Sequence, residues 1–220
     1  MKSEAIEITL NDTQQLFISD DSAIVGMFGG LGNGKTFAGC LKAILRILDP
    51  EQPPQLGLLA RQTYPELRDS TQRTFFEILH MFGLMQGHHY EYKKQENRVI
   101  FKNGHEVILR SLDDPAKLLS INLGWFYIDQ AEEVAEDVYL TLLGRLRAVD
   151  SVQGWITGNP LGHNWVWQRF IHDPIPGHKM YTAPSEENND NLPEGYIESL
   201  EKNYNEIWVN RYLYGSWDAF

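Results

Sequence analysis

A lysine and a threonine follow a glycine-rich stretch near the start of the chain, in "MFGGLGNGKTFAGC" from Met27. Gly29, Gly34, Lys35 and Thr36 fit the spacing G-x-x-x-x-G-K-[ST]. In such a loop the backbone N–H groups surround phosphate oxygens, the lysine binds the terminal phosphates and the hydroxyl group binds Mg²⁺. The pattern therefore predicts a phosphate-binding loop formed by Gly29, Gly30, Leu31, Gly32, Asn33, Gly34, Lys35 and Thr36. The alternative is a glycine turn that ends in Lys-Thr by chance.

The segments on both sides of this loop favour the phosphate-binding interpretation. The apolar run "AIVGMF" before it has the length of a strand, and "KTFAGCLKAILRIL" after it is typical of a helix. The apolar residues at helical spacing are Phe37, Cys40, Leu41, Ile44, Leu45 and Leu48. A loop between a strand and a helix presents its N–H groups at the helix N-terminus, where the helix dipole favours anions.

A second candidate for the same chemistry is Asp129, at the end of the apolar stretch "WFYID". A phosphate-binding loop needs a carboxylate beside it to hold Mg²⁺ through water, placed at the end of a neighbouring strand. We therefore predict that Asp129 and Thr36 form the Mg²⁺ site. The alternative is an aspartate that only caps the end of its strand.

Gln130 follows Asp129. At this position, many ATPases with such a phosphate-binding loop have a glutamate that activates the attacking water. An amide orients water but does not take its proton, so hydrolysis needs another carboxylate. Glu132 and Glu133 are the two candidates nearby. Two accounts stay open: a displaced glutamate serves as the base, or Gln130 traps the nucleotide-bound state.

Length, charge and cysteine content limit the class of protein. A chain of 220 residues suits one large domain or a domain with a small appendage. A net charge of −11 argues against nucleic-acid binding by bulk electrostatics, although a local basic edge is compatible with it. No apolar run approaches the ~20 residues of a membrane span, and the N-terminus lacks the apolar core of a signal peptide. Cys40 is the only cysteine, so no disulfide forms within the chain; a reducing compartment fits, and we expect Cys40 to pack in the core.

The rest of the chain alternates between strand and helix patterns. "QLGLLARQ" and "GWITGNP" are predicted strands, "YPELRDSTQRTFFEILHMFGL" is a predicted helix, and "AEDVYLTLLGRLRAV" is a predicted helix that ends in two arginines. "NRVIFKNGHEVILRS" predicts a hairpin with a type I′ turn at Asn103-Gly104, and the acidic "PSEENNDNLPEG" predicts a solvated loop. Together they indicate an α/β fold with a mainly parallel central sheet flanked by helices, plus one local β-hairpin.

In this order the motifs resemble the ATPase domain of the large terminase subunit of tailed bacteriophages. "GGLGNGKT" is similar to the Walker A motif of that family, "LARQTYPELRDS" to the strand and helix after its first helix, and "GWFYIDQAEEV" to its Walker B motif. "TGNPLGHNWVWQRF" is similar to the coupling motif, and "NLPEGYIESLEKNYNEIWVNRYLYGSW" to the segment that leaves the domain. The resemblance implies an ASCE/RecA-like P-loop NTPase that uses ATP and Mg²⁺. Gln130 departs from the Walker B pattern of the family.

The resemblance also implies roles for residues outside the loop. Thr157, Gly158 and Asn159 match the coupling motif and are expected to sense the γ-phosphate. "NDTQQLFIS" resembles the glutamine element of the family that reads adenine, and a side-chain amide suits this role because it pairs with both N6 and N7 of that base. The resemblance favours Gln14 over Gln15, because Phe17 then lies three residues further on, as in the family pattern. A pair of exposed loop glutamines is the alternative.

A cation from a neighbouring subunit is expected to reach the γ-phosphate, since these motors work as rings. The candidates for this finger are Arg110, Lys117, Arg145 and Arg147, and each is also compatible with an ordinary surface charge. Lys117 lies at the position where the family often has a basic residue.

The resemblance implies a motor that couples ATP hydrolysis to translocation of double-stranded DNA into a procapsid. Its expected partners are further copies in a ring, the portal protein and the small terminase subunit, with no membrane, in the host cytoplasm at the portal. We expect an ATPase domain over residues 1–205 and, over 206–220, the start of a connection to a nuclease domain, so that the chain is a fragment. The alternatives are an ATP-binding switch with little turnover and a helicase-like ATPase that depends on nucleic acid.

Overall fold

The computed structural model describes residues 7–218, without the side chains of Pro115 and Lys117. Its strands are β1 (Ile24–Gly29), β2 (Leu56–Arg61), β3 (Tyr90–Lys93), β4 (Arg98–Phe101), β5 (Glu106–Ser111), β6 (Trp125–Asp129), β7 (Gln153–Gly158) and β8 (His178–Ala183). Its helices are α1 (Asp12–Ser19), α2 (Lys35–Leu48), α3 (Tyr64–Glu66), α4 (Arg73–Met81), α5 (Glu136–Leu143), α6 (Trp165–Trp167), α7 (Tyr196–Asn203) and α8 (Glu206–Tyr212).

Within residues 7–218 the strands form one sheet in the order β3-β4-β5-β2-β6-β7-β1-β8. The six strands from β5 to β8 in that order are parallel, and only β3 and β4 run antiparallel to their neighbours. One strand, β7, separates the loop strand β1 from the acidic strand β6. The predicted fold class is confirmed: an α/β fold with a mainly parallel central sheet and a local hairpin.

Alternate residues of the central strands enter two apolar cores, one on each face of the sheet. On β6, Trp125 and Tyr127 belong to the core shared with α1, α2 and α4, whereas Phe126 and Ile128 belong to the core shared with α5. Because both faces are covered, all five residues of β6 are buried, as expected for a strand of a parallel sheet. The sheet therefore holds the carboxyl ends of β1, β6 and β7 in fixed positions.

Near the C-terminal end of α2, the buried face differs from the one that the spacing of apolar residues predicts. Cys40, Leu41 and Ile44 are buried as expected, but Leu45 and Leu48 are exposed by 40% and 38%. Burial of the Cys40 thiol raises its pKa, so Cys40 is a packing residue, as predicted.

The hairpin forms where it was predicted, but its turn is different. A type I′ turn needs positive φ at both central residues, and here only Gly104 of the pair has it, at φ 90°. Gly104 N donates to Phe101 O, which makes a three-residue loop with the glycine in the left-handed position. The strand β3 then extends this hairpin into a three-stranded unit that the sequence pattern did not indicate.

Three further expectations need correction. The predicted helix after Asp129 ends at Leu143, before Arg145 and Arg147, because Gly144 caps it. The predicted helix from Tyr64 is interrupted by a π-helical stretch at Leu67–Gln72. The acidic segment "PSEENNDN" is a 3₁₀ turn (Ser185–Asn191) that contacts the glycine-rich loop, and not only a solvated loop.

Candidate functional site

The glycine-rich loop connects the end of β1 to the beginning of α2. Gly32 and Gly34 have φ values of 72° and 77°, a left-handed conformation that favours glycine. The turn between them brings the backbone to the N-terminus of α2, a 14-residue helix whose dipole favours bound anions. A polyphosphate fits this arrangement chemically, because the loop supplies N–H donors and the helix supplies a positive end.

Residues from the C-terminal third of the chain hold the loop in place. Leu31 N donates to Tyr212 O at 2.6 Å, and Ser185 Oγ donates to Leu31 O at 2.6 Å. Asn188 Nδ2 donates to Gly32 O at 2.6 Å. The shape of the loop thus depends on residues more than 150 positions away in the sequence.

Lys35 is the buried cation of the loop. Its Nζ donates to Gly30 O at 2.5 Å and to Asn33 Oδ1 at 3.0 Å. Burial lowers the pKa of Lys35 to about 8, and the nearby carboxylates of Glu132 and Asp129 act in the opposite direction. A charge held this way favours an anionic ligand, since a phosphate oxygen accepts a charge-assisted hydrogen bond.

Asp129 lies at the centre of a cluster of hydroxyl groups. Its Oδ2 accepts hydrogen bonds from Thr36 Oγ1 at 3.1 Å and Thr71 Oγ1 at 2.7 Å. Its Oδ1 accepts from Thr157 Oγ1 at 2.8 Å, because the register of β6 and β7 places Asp129 and Thr157 side by side. Tyr127 Oη lies 2.8 Å from the same Thr157 hydroxyl. Thr71, on the π-helical stretch, was missed because nothing in its local sequence marks it.

This cluster fits Mg²⁺ by its chemistry. Mg²⁺ prefers hard oxygen ligands and usually keeps several waters, with one or two carboxylates completing the site. Thr36 and Asp129 supply a hydroxyl and a carboxylate at the loop, and a bound phosphate would supply further oxygens. Among residues 7–218, no cluster of three or more His, Cys, Asp or Glu side chains could hold a metal ion without such a ligand.

Beyond Asp129 the chain turns sharply, and Gln130 takes a left-handed conformation with φ 56°. Its Oε1 accepts a hydrogen bond from Asn159 Nδ2 at 3.3 Å. The turn continues into a 3₁₀ helix at Ala131–Glu133, which brings Glu132 back toward the end of β7. Positive φ in a non-glycine residue costs energy and is concentrated at functional sites.

Glu132 and Glu133 occupy different environments. Glu132 Oε1 accepts from the Asn159 backbone N at 2.9 Å, while its Oε2 is buried without a hydrogen-bond partner. Burial raises the pKa of Glu132 to about 7, although the bonds from Asn159 and the charge of Lys35 favour its ionised form. Glu133 is exposed, and its pKa is raised by partial burial against the opposing charge of Arg61.

Gly158 explains how Glu132 comes so close to β7. A Cβ atom at Gly158 would collide with Glu132 Oε2, so any other residue would displace the carboxylate. Thr157, Gly158 and Asn159 therefore contact Asp129 and Glu132 directly. The structure brings the Walker B and coupling-motif residues together at neighbouring strand ends.

Gln14 lies beside the loop, and Gln15 does not. The Gln14 side chain is buried, and its Nε2 donates to Asn33 O at 3.2 Å. Its Oε1 accepts from Asn11 N at 3.2 Å, within the capping box that begins α1. Gln15 is exposed, and its side-chain Nε2 donates to Leu10 O, within the same segment.

Two adjoining clefts run along the loop. The phosphate cleft, of about 270 Å³, is lined by residues 31–37 together with Arg61, Ser70, Gln130 and Asn159. The outer cleft, of about 440 Å³, is lined by residues 7–9, Gln14, Gly34, Phe37, Met81, Asn188 and Asn191. Gly34 and Phe37 border both clefts, so a ligand in one extends naturally into the other. Arg61 and Ser70 lie in "LARQTYPELRDS", which the sequence analysis matched to a strand and a helix of the family without assigning either residue to the site.

The finger candidates Arg110, Arg145 and Arg147 do not line the phosphate cleft. Leu123 N donates to Arg145 O near the start of β6, and Asp129 lies six residues further along, roughly 20 Å at ~3.3 Å per residue. Arg145 and Arg147 thus cannot reach the loop of their own chain, and their side chains donate to Leu119 O and Asn122 Oδ1, so an ordinary surface role stays as compatible with them as a role toward a neighbour. Arg110 is paired with Ala60 in the register of β5 and β2, and the side chain of Lys117 lies outside the described residues.

In the described part of the chain, no helix has both the length and the apolar character needed to cross a bilayer. The predicted division at residue 205 stays a prediction. Residues beyond it pack into the same unit, since Trp217 lies against Phe28 with ring centroids 5.4 Å apart.

Comparison with known proteins identifies the family. A family profile described as phage terminase large subunit matches residues 22–214. The PBSX phage terminase large subunit of Bacillus subtilis (strain 168) is 28% identical over 196 residues, which cover 80% of this chain and 44% of that protein. The chain therefore spans less than half the length of this relative.

Solved structures agree on the fold. The large terminase from a thermophilic bacteriophage, in complex with ADP, has a TM-score of 0.82 at 16% identity, covering 95% of this chain and 54% of that one. The large terminase ATPase domain of Thermus phage P74-26 has a TM-score of 0.75 at 13% identity, covering 95% of this chain and 94% of that one. With the family profile spanning most of its length, the chain belongs to the phage terminase large subunit family, and its fold matches that of the ATPase domain.

Proposed function

We propose that this domain binds ATP with Mg²⁺, hydrolyses it, and couples hydrolysis to the movement of double-stranded DNA into a procapsid. The observation that carries the proposal is the Asp129 cluster, in which a carboxylate meets Thr36 of the P-loop and Thr157 of the coupling motif. One carboxylate thus connects the element that binds phosphate with the element that would report its presence.

The two clefts support binding of a whole nucleoside triphosphate. The triphosphate would lie in the phosphate cleft against Lys35 and the N-terminus of α2, with Thr36 and Asp129 holding Mg²⁺. The base would lie in the outer cleft near Phe37 and Met81, within reach of the Gln14 amide. Bound Mg²⁺ would neutralise phosphate charge; all other contacts come from the chain itself.

Glu132 is the better candidate for the base that activates water. A base works best with a pKa near the working pH, and burial has brought the pKa of Glu132 to about 7. Its Oε2 is buried and has no hydrogen-bond partner, so it is available to accept a proton. Glu133 is exposed, and Gln130 would orient the water without taking its proton. This favours a displaced glutamate among the accounts left open by the sequence.

Loss of the γ-phosphate would be signalled through Asn159. Its backbone N–H and side chain both contact Glu132, and its side chain also contacts Gln130. A change in the charge or position of Glu132 would therefore act directly on the segment after β7. Membership of the terminase family supports the further expectation that copies form a ring at the portal, with the small terminase subunit and DNA as partners, in the host cytoplasm.

Gln130 also supports a second function, an ATP-binding switch with little turnover. The two are separated by measuring ATP affinity and single-turnover hydrolysis independently at high protein concentration. Tight ATP binding without release of phosphate would support the switch function and contradict the motor function for this chain.

The test of the site itself is Lys35→Ala, with Lys102→Ala as the control because Lys102 is exposed and far from the loop in sequence. We expect the Lys35 variant to lose ATP binding or hydrolysis while its far-UV circular dichroism is retained. Unchanged nucleotide affinity in Lys35→Ala would contradict the assignment of the glycine-rich loop as the ATP-binding site.

A further inference from the structure

Arg61 is the last residue of β2, which lies directly beside β6 in the sheet. The register pairs Ala60 with Ile128, so Arg61 follows at the level of Asp129. Because β2 and β6 are parallel, both residues lie at the carboxyl edge where the P-loop also lies. Arg61 lines the phosphate cleft together with Lys35, Thr36 and Gln130.

The Arg61 guanidinium group has an unused hydrogen-bond donor. Its Nε is buried and has no hydrogen-bond partner. Four other arginines are paired with carboxylates within 2.8 Å, namely Arg68 with Asp69, Arg73 with Glu77, Arg98 with Glu106 and Arg169 with Glu136. Arg46 and Arg145 also have a buried Nε without a partner, but their Nη groups donate to backbone carbonyls and neither residue lines the phosphate cleft. An unpaired buried donor of a charged group is costly, so a functional reason is expected for it.

The backbone around Arg61 is well anchored, which distinguishes it from a mobile surface arginine. Arg61 O accepts from Leu112 N at 2.9 Å, and the residue pairs with Ser111 in the register of β2 and β5. Ser70, on the π-helical stretch Leu67–Gln72, lines the same cleft. Interruptions of this kind are frequent at functional sites.

Charge favours an anion as the partner of Arg61. Within the phosphate cleft, Lys35 and Arg61 are the lysine and arginine side chains of the lining. Guanidinium groups bind phosphate with two parallel hydrogen bonds, which an ammonium does not do. Glu133 is near enough for Arg61 to lower its pKa, but the two form no ion pair within 4.0 Å in the described residues.

We propose that Arg61 contacts the γ-phosphate of ATP bound to its own subunit and stabilises the charge that develops there during hydrolysis. This rests on the ATP site proposed above. The water oxygen bonds to the γ-phosphorus as the bond to the bridging oxygen breaks; ADP keeps the electron pair, the base takes the water proton, and Arg61 contributes hydrogen bonds alone. Arg61 thereby acts in cis, in contrast to a finger supplied by a neighbour.

The first experiment compares Arg61→Ala, Arg61→Lys and the control Arg68→Ala, which alters an exposed arginine of the adjoining segment. Loss of one such donor typically costs ~10²–10³ in rate, so we expect that loss in single-turnover hydrolysis for Arg61→Ala, partial recovery in Arg61→Lys and no change in the control. ADP affinity should stay within about twofold of the parent, since Arg61 touches only the γ-phosphate. An equal loss of ADP and ATP affinity, or an unchanged rate, would overturn the proposal.

The second experiment distinguishes cis from trans by mixing Arg61→Ala with Lys35→Ala. If Arg61 acts in cis, each subunit in the mixture lacks one essential group in its own site. The hydrolysis rate of the mixture then does not exceed the sum of the rates of the two variants alone. If Arg61 acts on a neighbour, Lys35→Ala subunits supply the arginine to Arg61→Ala sites and hydrolysis recovers, which would overturn the proposal.

Failure of the proposed function would look different. If the parent chain binds ATP-γ-S but does not hydrolyse ATP, the motor hypothesis fails while Arg61 is still tested by affinity. In that case Arg61→Ala must lower the preference for ATP-γ-S over ADP, and an unchanged preference would overturn the Arg61 assignment.

Discussion

Glu132 Oε1 accepts a hydrogen bond from the Asn159 backbone N–H at 2.9 Å, which ties the turn after β6 to the end of β7. The contact exists because Gly158 has no Cβ to exclude the carboxylate. It joins the residue that we propose as the base to the segment expected to sense the γ-phosphate.

The first prediction concerns the identity of the base. General-base assistance typically contributes ~10²–10⁴-fold, so Glu132→Gln should slow single-turnover ATP hydrolysis by that order while ATP affinity changes little. Gln130→Glu should be neutral or harmful, because it adds a second negative charge beside the γ-phosphate. The assay needs protein concentrated enough for subunits to meet.

Glu133→Gln is the matched control, since Glu133 is exposed and should leave the rate nearly unchanged. A sharp acceleration in Gln130→Glu with no effect of Glu132→Gln would show instead that Gln130 replaces the base and that no displaced glutamate serves.

The second prediction is a bell-shaped pH profile of kcat/KM. Glu132 must be ionised to accept a proton, and burial raises its pKa to about 7, so activity should fall as the pH drops below 7. Lys35 must be protonated to bind phosphate, and burial lowers its pKa to about 8, so activity should also fall as the pH rises above 8. Initial rates at low ATP across pH 5 to 10 measure both limbs. A rising limb that persists in Glu132→Gln would assign it to another group.

The third prediction concerns base selectivity. Gln14→Ala should reduce the preference for ATP over GTP by ~10-fold or more, because a bidentate amide contact to adenine is worth ~1–3 kcal/mol. Competition between the two nucleotides for a fluorescent analogue measures this preference. Gln15→Ala is the control on the neighbouring, exposed residue, and equal effects of the two variants would contradict the assignment.

The fourth prediction concerns stability. Lys42 Nζ donates to Phe17 O, Ile18 O and Asp20 O at the end of α1, at 3.2, 2.9 and 2.8 Å. Lys42→Met leaves carbonyls there without that donor and should lower the free energy of unfolding by ~1–3 kcal/mol. Urea denaturation against the exposed control Lys102→Met measures the difference. Equal stability of the two variants would show that the buried ammonium costs as much as its bonds contribute.

The fifth prediction concerns DNA. With a net charge of −11, the isolated chain should bind duplex DNA with a Kd weaker than micromolar at physiological salt, because few phosphates are neutralised without a clustered basic surface. Fluorescence anisotropy with a labelled duplex measures this. Sub-micromolar affinity would favour the helicase-like alternative over a motor whose DNA contacts need partners or a ring.

The sequence alone was sufficient to predict those elements that depend on residues close together in the chain. The spacing of Gly29, Gly34, Lys35 and Thr36 between an apolar run and a helical pattern was sufficient to predict the loop at the start of α2. The buried run ending in Asp129 was likewise sufficient to predict β6, since a strand covered on both faces is continuously apolar. Asn103-Gly104 predicted the hairpin correctly, but the predicted type I′ turn was wrong, because the turn type depends on how φ is distributed over three residues.

Only the tertiary structure decided which side chains meet at the loop. Thr71 and Asp129 are 58 residues apart, and Leu31 bonds Tyr212 across the whole chain, so no local spacing marks either contact. Arg61 and Asp129 became neighbours because β2 and β6 pair in parallel, a strand order that sequence periodicity does not encode. Glu132 and Glu133 differ for another reason: the left-handed turn at Gln130 sends Glu132 toward β7 and leaves Glu133 exposed. Periodicity reports which faces of an element are buried, but the partner of each face is set by the order of strands in the sheet.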